Sequence, residues 1–373
     1  MKKLRMSKNS FSHQKTDLLI NGQKFVLIPM TQFGRQAWNS FLEEISFSYL
    51  HHSYEFIEAL KIFRNSENIS FALTDGAGKT LGLFPLVSQE RTLNHPLARV
   101  LGINGFFVES LGGFLSHLNL KTQEKVVENY LKIHLQGNNL NYGELYIDYD
   151  VSSLFRNYEN LPFKIHTSKN RKLRYLDLEK DLDYLWKDCR RNHRRMIKKA
   201  QSNPSLNFSL AFSNQLDKYY ELHCATLARS NLVAHPLAYF NSIFNQFVNN
   251  GAAIVGCVRE FEEPIAYTIY GIFGEVAHSW TAAIDERAYK MGANHLCNWQ
   301  MIAHLKELNI STLVLGEIFD QHADQKIWNI GDFKRGFGSL ETSKFVTKLQ
   351  FGLLAGFVAT IKKLKNRDRN SKS

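Results

Sequence analysis

The chain has 373 residues, enough for about two domains of ~150 residues, each with its own core. Apolar residues make up 44% of the chain and charged residues 22%, which excludes a largely disordered chain and a polytopic membrane protein. The net charge of +11 favours an anionic partner such as phosphate, nucleic acid or an acidic lipid surface, without choosing among them.

Strand and helix patterns alternate along the first half. Short apolar runs predict strands at Lys24–Met30, Ser70–Thr74, Thr80–Ser88 and Glu144–Asp148. Helical spacing predicts helices at Gln36–Ile45, Ser53–Phe63 and Thr122–Leu135. The turn residues from Asp75 to Gly78 join two of these strands in a hairpin.

The second half has a similar order of elements. The predicted strands are Leu173–Leu178, Asn207–Ala211, a meander of Ala252–Arg259, Pro264–Phe273 and Glu275–Ala283, and a buried parallel strand Thr312–Leu315. The predicted helices are Asp181–Ala200, Asn214–Ala228, Pro236–Asn249 and Met291–Leu308. With a polar boundary within 150–171, we predict two tandem α/β domains with mixed sheets, residues 1–165 and 166–345. An amphipathic helix and a basic tail are predicted for residues 346–373.

The helix predicted at Asp181–Ala200 is strongly basic on two rows. Its apolar stripe, which includes Trp186 and His193, faces the core. The flanking rows are Arg190, Arg194 and Lys198, and Arg191, Arg195 and Lys199. Because like charges at i and i+4 repel, we favour a phosphate or nucleic-acid contact over a merely solvated face.

A second candidate is the glycine turn at Lys290-Met291-Gly292-Ala293, between a strand and a helix. Free N–H groups at a helix start bind phosphate, so Gly292 and Ala293 are the predicted cofactor-binding residues. A tight turn with no ligand explains the same pattern.

Several of these segments together resemble a known family. The stretch RRNHRRMIKKA, the turn at Gly292, the strand end Leu315-Gly316 and the run Phe333-Lys334-Arg335-Gly336-Phe337-Gly338 look like the C-terminal domain of Fem-type acyltransferases. GLFPLVS in the first half is similar to their first domain. The resemblance implies two tandem GNAT (N-acetyltransferase) folds and acyl transfer to an amine.

The resemblance also implies roles for single residues. Arg194 matches an arginine that contacts an acceptor phosphate, and Lys334 matches a lysine that steadies charge during acyl transfer. Glu317 follows the strand-end glycine, where many relatives have an acid two residues before it. The Gly292 turn has Tyr289 and Asn294 where simple GNAT enzymes have Gln or Arg and Gly or Ala.

Acyl transfer from a thioester or ester needs a neutral amine, a closely held acyl carbon and donors aimed at the oxyanion. We predict that Lys334 stabilises the oxyanion and that Glu317 or a tyrosine relays a proton. Tyr267, Tyr270 and Trp280 are predicted to line a cleft between the domains, with ordinary aromatic core as the alternative for each. Burying Lys334 for packing alone is costly.

Other chemistry is less favoured. His223 and Cys224 are adjacent on a predicted helix and point in different directions, which argues against a nucleophile–base pair. The four cysteines have no zinc-type spacing, so reduced thiols and no metal are expected.

The ends of the chain bear on location. No signal peptide is seen at the N-terminus, so we expect a cytoplasmic protein. Leu349, Leu353, Phe357, Ile361 and Leu364 recur at helical spacing before a basic tail. This pattern fits a helix on the inner face of the membrane or one docked on the protein's own core.

We therefore expect an N-acyltransferase that uses acyl-CoA and an amine of a phosphate-bearing acceptor, either a nucleotide sugar or a lipid-linked cell-envelope precursor. An aminoacyl-tRNA donor, as in peptidoglycan bridge synthesis, is the alternative. A non-catalytic RNA- or membrane-binding module is the rival from another class.

Overall fold

The computed structural model describes residues 14–45, 48, 50–64, 66–92, 104–111, 113–119, 122–123, 125–126, 129–130, 143–147, 163–229, 232–318 and 325–351. The chain forms two compact units. The first comprises Met1–Ile45, Arg64–Asn170 and Phe345–Ser373, and the second comprises Ser46–Phe63 and Arg171–Lys344. The second unit therefore includes a short segment from the first half of the sequence.

The first unit contains the helices α1 and α2 and the strands β1 to β9. The helices are α1 (Met30–Phe33) and α2 (Arg35–Glu44). The strands are β1 (Thr16–Ile20), β2 (Gln23–Pro29), β3 (Glu67–Asn68), β4 (Phe71–Asp75), β5 (Thr80–Phe84), β6 (Leu86–Thr92), β7 (Asn104–Ser110), β8 (Leu115–Ser116) and β9 (Gly143–Ile147).

These strands form two groups. One is the antiparallel order β1-β2-β4-β5-β8, with the predicted hairpin between β4 and β5. The other runs β9-β7-β6-β3, in which β7 and β9 are parallel. Trp38 on α2 and Leu73 on β4 are among the buried apolar residues of this unit. Pro85 separates β5 from β6, because proline cannot donate to a strand ladder.

The second unit includes α3 (Tyr54–Arg64) as far as Phe63, and it resumes at Arg171. Its further helices are α4 (Leu182–Asp188), α5 (Arg191–Gln201), α6 (Leu216–Ala228), α7 (Leu237–Ile243), α8 (Glu286–Met291), α9 (Ala293–Glu307) and α10 (Gln325–Arg335). Its strands are the part of β10 (Phe163–Asp177) that follows Asn170, and β11 (Leu206–Ala211), β12 (Ala253–Glu260), β13 (Glu263–Phe273), β14 (Val276–Ile284) and β15 (Thr312–Ile318).

The sheet of this unit has the order β11-β12-β13-β14-β15-β10. The predicted meander β12-β13-β14 is confirmed as antiparallel. β15 is parallel to β14 and antiparallel to β10, so the predicted parallel strand has one neighbour of each kind. Helix α9 packs on one face through Met301, Ile302 and Leu305, against Leu176 and Leu313 of the strands.

Two predicted helices differ from the structure. The basic helix is interrupted at Cys189 and Arg190, whose backbones are extended, and it becomes α4 and α5. The helix predicted at Pro236–Asn249 is α7 followed by a π-helix from Phe244 to Val248.

The C-terminal prediction is partly wrong. Residues 346–351, expected to begin an amphipathic helix, belong to strand β16 (Glu341–Phe351), in which Thr347–Phe351 pair with β9. Backbone pairing with β9 outweighs the helical spacing of the side chains. Residues 352–373 lie outside the described residues. Within the part of the chain that the structure describes, no helix has the length and apolar character needed to cross a bilayer.

Candidate functional site

The neighbouring strands β14 and β15 pair along only part of their length. Their parallel ladder has three pairs and ends at His278 and Val314. Each strand has a bulge just beyond that point, because Trp280 has no opposite residue on β13 and Leu315 has none on β10. Bulges bend and twist a strand, and they are frequent beside active sites. Beyond His278 and Val314 the facing edges of β14 and β15 are unpaired, and we call this unpaired part of the sheet the wedge.

A lysine reaches the β15 side of this wedge. Lys334, in the last turn of α10, donates a hydrogen bond from Nζ to the main-chain oxygen of Glu317, 3.1 Å away. Glu317 precedes the last residue of β15. The structure thus brings together Lys334 and Glu317, the two predicted catalytic residues, at the strand end where the wedge opens.

Burial changes the acidity of this lysine. Loss of hydration lowers the pKa of Lys334 from 10.5 to about 8, although the charge of Glu317 acts in the opposite direction. At neutral pH the ammonium group is mostly protonated, yet it is close to the pH at which it can lose its proton. A cation held without full hydration interacts strongly with a developing negative charge.

Gly316 makes the approach of Lys334 possible. Its φ of +91° lies in the region that favours glycine. A Cβ added there would be 3.1 Å from Nζ of Lys334. The glycine therefore allows both the bulged backbone and the close contact with the lysine.

Helix α10 is fixed by the junction between α4 and α5. The Arg190 guanidinium is 2.6 Å from the Asp332 carboxylate, and the Arg190 amide donates to the oxygen of Gly336 at 2.9 Å. His193 Nε2 is 2.9 Å from the oxygen of Phe333. These contacts flank Lys334 in sequence on both sides, so the junction sets the position of the lysine's backbone.

Two residues of one predicted cationic row, Arg194 and Lys198, contact residues at the end of α4. Arg194 donates to the main-chain oxygens of Lys187 and Cys189 at 2.7 Å and of Trp186 at 3.3 Å. It thereby satisfies carbonyls at the end of α4, which a helix leaves without partners. Lys198 is exposed and lies 5.8 Å from the centre of the Trp186 ring.

The three predicted cleft aromatics lie in different surroundings. Tyr267 and Tyr270 are fully buried, and their odd spacing places them on opposite faces of β13. Tyr267 packs against Tyr219, whereas Tyr270 donates to the Asn298 side chain at 2.6 Å. Their burial fits the alternative of aromatic core. Trp280 is partly buried, and its indole nitrogen donates to a tyrosine hydroxyl, that of Tyr239, at 2.8 Å.

The predicted phosphate turn ends one helix and begins another. Gly292 has φ +77° and separates α8 from α9, while Ala293 is the first residue of α9. A Cβ on Gly292 would lie 2.5 Å from the main-chain oxygen of Met196 in α5. The close approach of α5 to this turn thus by itself requires glycine, as the tight-turn interpretation expects.

The His223–Cys224 pair does not form a nucleophile and base. Nε2 of His223 accepts a hydrogen bond from the amide of His235 at 3.4 Å. Burial lowers the pKa of His223 to about 4. This histidine is part of an aromatic cluster with Tyr219 and Phe240.

Sequence reasoning missed the residues that support Lys334. Asp332 gave no signal, because its partner Arg190 is 142 positions away. Gly316 was noted only as a strand end, and its need for a positive φ could have been suspected from a glycine inside an apolar strand.

Comparison with known proteins assigns part of the chain to a domain family. Residues 187–333 match the family model described as "Acetyltransferase (GNAT) domain". A search of the curated proteins found no match to this chain.

Solved structures extend the similarity to most of the chain. FemX is similar with TM-score 0.65 and 13% identity, over 90% of this chain and 99% of FemX. The C-terminal domain of a putative lysylphosphatidylglycerol synthetase from Agrobacterium fabrum has TM-score 0.53 and 11% identity, over 88% and 96%. A tandem GNAT protein from the clavulanic acid biosynthesis pathway has TM-score 0.50 and 9% identity, over 87% and 98%.

The second unit therefore carries a GNAT-type acyltransferase domain, and the protein is an acyltransferase. Its fold is similar to those of FemX and of a tandem GNAT protein, which confirms the resemblance to Fem-type and tandem GNAT-fold acyltransferases.

Proposed function

We propose that this protein transfers an acyl group from acyl-CoA to an amine of a phosphate-bearing acceptor, with Lys334 as the oxyanion-stabilising group. The observation that carries the proposal is the position of Lys334 at the wedge between β14 and β15. The acceptor class that we propose is a nucleotide sugar or a lipid-linked cell-envelope precursor.

The wedge suits an extended donor. Beyond His278 and Val314 the two strand edges form no ladder with each other, so main-chain donors and acceptors face the opening. An extended chain that contains amides can add to such an edge as a strand does. The pantetheine arm of coenzyme A is a chain of this kind. Its thioester would then lie near the strand ends, where Lys334 is held.

The proposed chemistry needs no covalent intermediate. The neutral amine attacks the thioester carbonyl, a C–N bond forms and negative charge develops on the oxygen, beside the Lys334 ammonium group. When the tetrahedral intermediate collapses, the C–S bond breaks and the thiolate leaves. The proton lost by the amine is relayed through Glu317 and ends on the departing sulfur, so charge is balanced.

The acceptor class is supported by charge and by the structural neighbours. The chain carries a net charge of +11, and one neighbour is named as a putative lysylphosphatidylglycerol synthetase, whose product bears a phosphate. On α5, Arg191 and Arg195 are exposed and are the cations that we propose for acceptor phosphate, together with Lys198. Arg190 and Arg194 would contribute through their remaining donors.

Location is part of the same proposal. We propose action in the cytoplasm, with access to membrane-linked acceptors through the segment after residue 351.

A thiol-release assay tests the proposal. Purified protein is given a panel of acyl-CoAs with amino-sugar nucleotides or lipid-linked amine acceptors, and free CoA thiol is measured. We expect release only when donor and acceptor are both present, and about 100-fold slower release by Lys334→Ala. Unchanged release by that variant would remove Lys334 from the mechanism.

Lys306 provides a matched control. It is also partly buried, lies in the same unit and donates to main-chain oxygens, those of Leu178 and Lys180. Lys306→Ala removes a comparable hydrogen bond away from the wedge. We expect it to lower stability and to keep the rate of thiol release within about twofold.

The alternative donor, aminoacyl-tRNA, is separated by the same assay. The exposed cations of α5 would suit RNA as well as an acceptor phosphate. Treatment with ribonuclease leaves turnover of acyl-CoA unchanged if the proposal is correct. Transfer that requires charged tRNA, with no thiol release from any acyl-CoA, would assign the alternative donor.

A further inference from the structure

We infer that His193 is a positioning residue for Lys334, acting through the main chain of α10. This role of His193 rests on the proposed function of Lys334. The sequence pattern places His193 on the apolar stripe that faces the core. His193 lies on α5, is almost fully buried and contacts the last turn of the helix that carries the lysine.

The hydrogen bond from this histidine has a single possible direction. The oxygen of Phe333 can only accept, so Nε2 of His193, 2.9 Å away, carries the proton. Phe333 immediately precedes Lys334. A donor held on α5 therefore fixes the peptide next to the lysine and with it the direction in which the lysine's side chain leaves the helix.

The surroundings of the ring keep it in place. Its centroid lies 4.9 Å from the Phe337 ring and 4.6 Å from the His295 ring. A Cβ added to Gly336 would lie only 2.0 Å from Cε1 of His193, so the turn after α10 closes directly on the imidazole. Glycine at position 336 is required because the ring fills the space that any side chain would take.

The protonation of the ring suits this role. Burial lowers the pKa of His193, so the imidazole is neutral at physiological pH. Its Nδ1 is buried and forms no hydrogen bond in the part of the chain that the structure describes. A deprotonated Nδ1 among aromatic rings leaves Nε2–H as the one donor of the ring, directed at Phe333.

The contacts around Lys334 form a chain from α5 to β15. Arg190 and His193 hold Asp332 and Phe333, and Lys334 reaches Glu317 on the strand. The Arg190–Asp332 pair is half exposed on both sides, where ion pairs contribute little. The buried hydrogen bond from His193 is consequently the stronger constraint on the last turn of α10.

The test compares two substitutions of the histidine. His193→Phe keeps an aromatic ring but removes the donor, while His193→Gln restores an N–H at similar reach. We expect His193→Phe to lower kcat about tenfold with KM within about twofold, because the lysine acts on the transition state. His193→Gln should recover most of the loss.

His295→Phe is the matched control. The His295 ring contacts Phe333 and Phe337 in the same cluster, but its Nδ1 is directed at the Asn294 side chain, 2.9 Å away. This variant disturbs the aromatic packing and leaves the hydrogen bond to Phe333 intact. We expect kcat to stay within about twofold of the unmodified enzyme.

A readout independent of turnover separates the inference from the proposed function. The rate of reductive methylation of Lys334, followed by mass spectrometry of the folded protein against pH, reports the acidity of its amine. His193→Phe should raise the pKa of Lys334 and make its amine more accessible to the reagent. His193→Gln and His295→Phe should leave both unchanged.

Unaltered labelling in a folded His193→Phe variant would overturn the positioning role. Altered labelling in His193→Phe, together with full activity in Lys334→Ala, would instead uphold the positioning of the lysine and refute its proposed catalytic role. Equal losses of kcat in His193→Phe and His295→Phe would assign both rings to packing alone.

Discussion

Nζ of Lys334 lies 3.1 Å from the position that a Cβ on Gly316 would occupy. The ammonium group of the lysine at the end of α10 thus lies directly against the glycine at the bulge of β15. A side chain at residue 316 would crowd the ammonium group and force it to shift from this position.

Gly316→Ala is therefore expected to lower both stability and turnover. Alanine at φ +91° is strained by about 1–2 kcal/mol, and its methyl group displaces the ammonium group. We expect kcat to fall several-fold and the free energy of unfolding in urea to fall by that amount.

Gly274→Ala is the control for strain alone. Gly274 also has a positive φ, +54°, and a Cβ there would have no neighbour within 4 Å. The control should lose stability and keep kcat. Equal kcat for the two alanine variants would refute a functional reason for Gly316.

Replacing Lys334 by methionine should stabilise the fold while it slows thiol release about 100-fold, as expected for Lys334→Ala. The pKa of Lys334 falls from 10.5 in the unfolded chain to about 8 in the folded one. Between these pH values the folded state binds fewer protons than the unfolded state. Below pH 8 the lysine is charged in both states, so burial of the charge then lowers the unfolding free energy by its full amount. At 1.36 kcal/mol per pKa unit, we expect Lys334→Met to add about 1–3 kcal/mol to the unfolding free energy at pH 7.

The gain from Lys334→Met should shrink as the pH rises from 8 towards 10.5, because the lysine of the parent protein then becomes neutral. Urea unfolding at pH 7 and at pH 10 measures the difference. A variant that is less stable than the parent at pH 7 would contradict the expected penalty of the buried charge.

Acid should destabilise the second unit through its buried histidines. Burial lowers the pKa of His295 to about 3 and lowers that of His193, whereas both are near 6.5 in an unfolded chain. The unfolded state therefore binds more protons as the pH falls below 6.5, and stability present above that pH is lost. We expect the midpoint of thermal unfolding to fall steeply between pH 6.5 and pH 4.

His295→Phe should flatten that decline, because the new ring binds no proton. Midpoints measured at pH 7 and pH 4.5 for the two proteins test the expectation. An unaltered slope would mean that other groups cause the acid sensitivity.

Arg194→Ala should destabilise the protein by about 1–3 kcal/mol, since a charged donor to three main-chain oxygens is lost at the end of α4. Arg195→Ala, one residue along, removes a hydrogen bond to the neighbouring Asn192 side chain and should change stability by less than about 0.5 kcal/mol. Urea unfolding compares the two. Equal stabilities would contradict the structural role of Arg194.

The acceptor KM of these variants addresses phosphate binding separately. If Arg194 also contacts an acceptor phosphate, its KM for acceptor rises at unchanged kcat. If Arg195 is the contact, Arg195→Ala shows the larger rise in the acceptor KM, although it is the more stable of the two variants.

Local patterns were sufficient for most elements of the second unit. The meander β12-β13-β14, helix α9 and strand β15 follow from apolar periodicity and turn residues, which act over a few positions. The motif around Lys334 also drew attention to a lysine that the structure places at the end of β15. These properties are encoded within short stretches of chain, so reading along the sequence finds them.

Other features depend on contacts between distant segments. The inclusion of residues 46–63 in the second unit and the break before Arg191 could not be read from spacing. Residues 346–351 have helical periodicity and form a strand, because pairing partners on β9 satisfy their backbone. Packing and backbone pairing across more than a hundred residues outweigh local preference in these places.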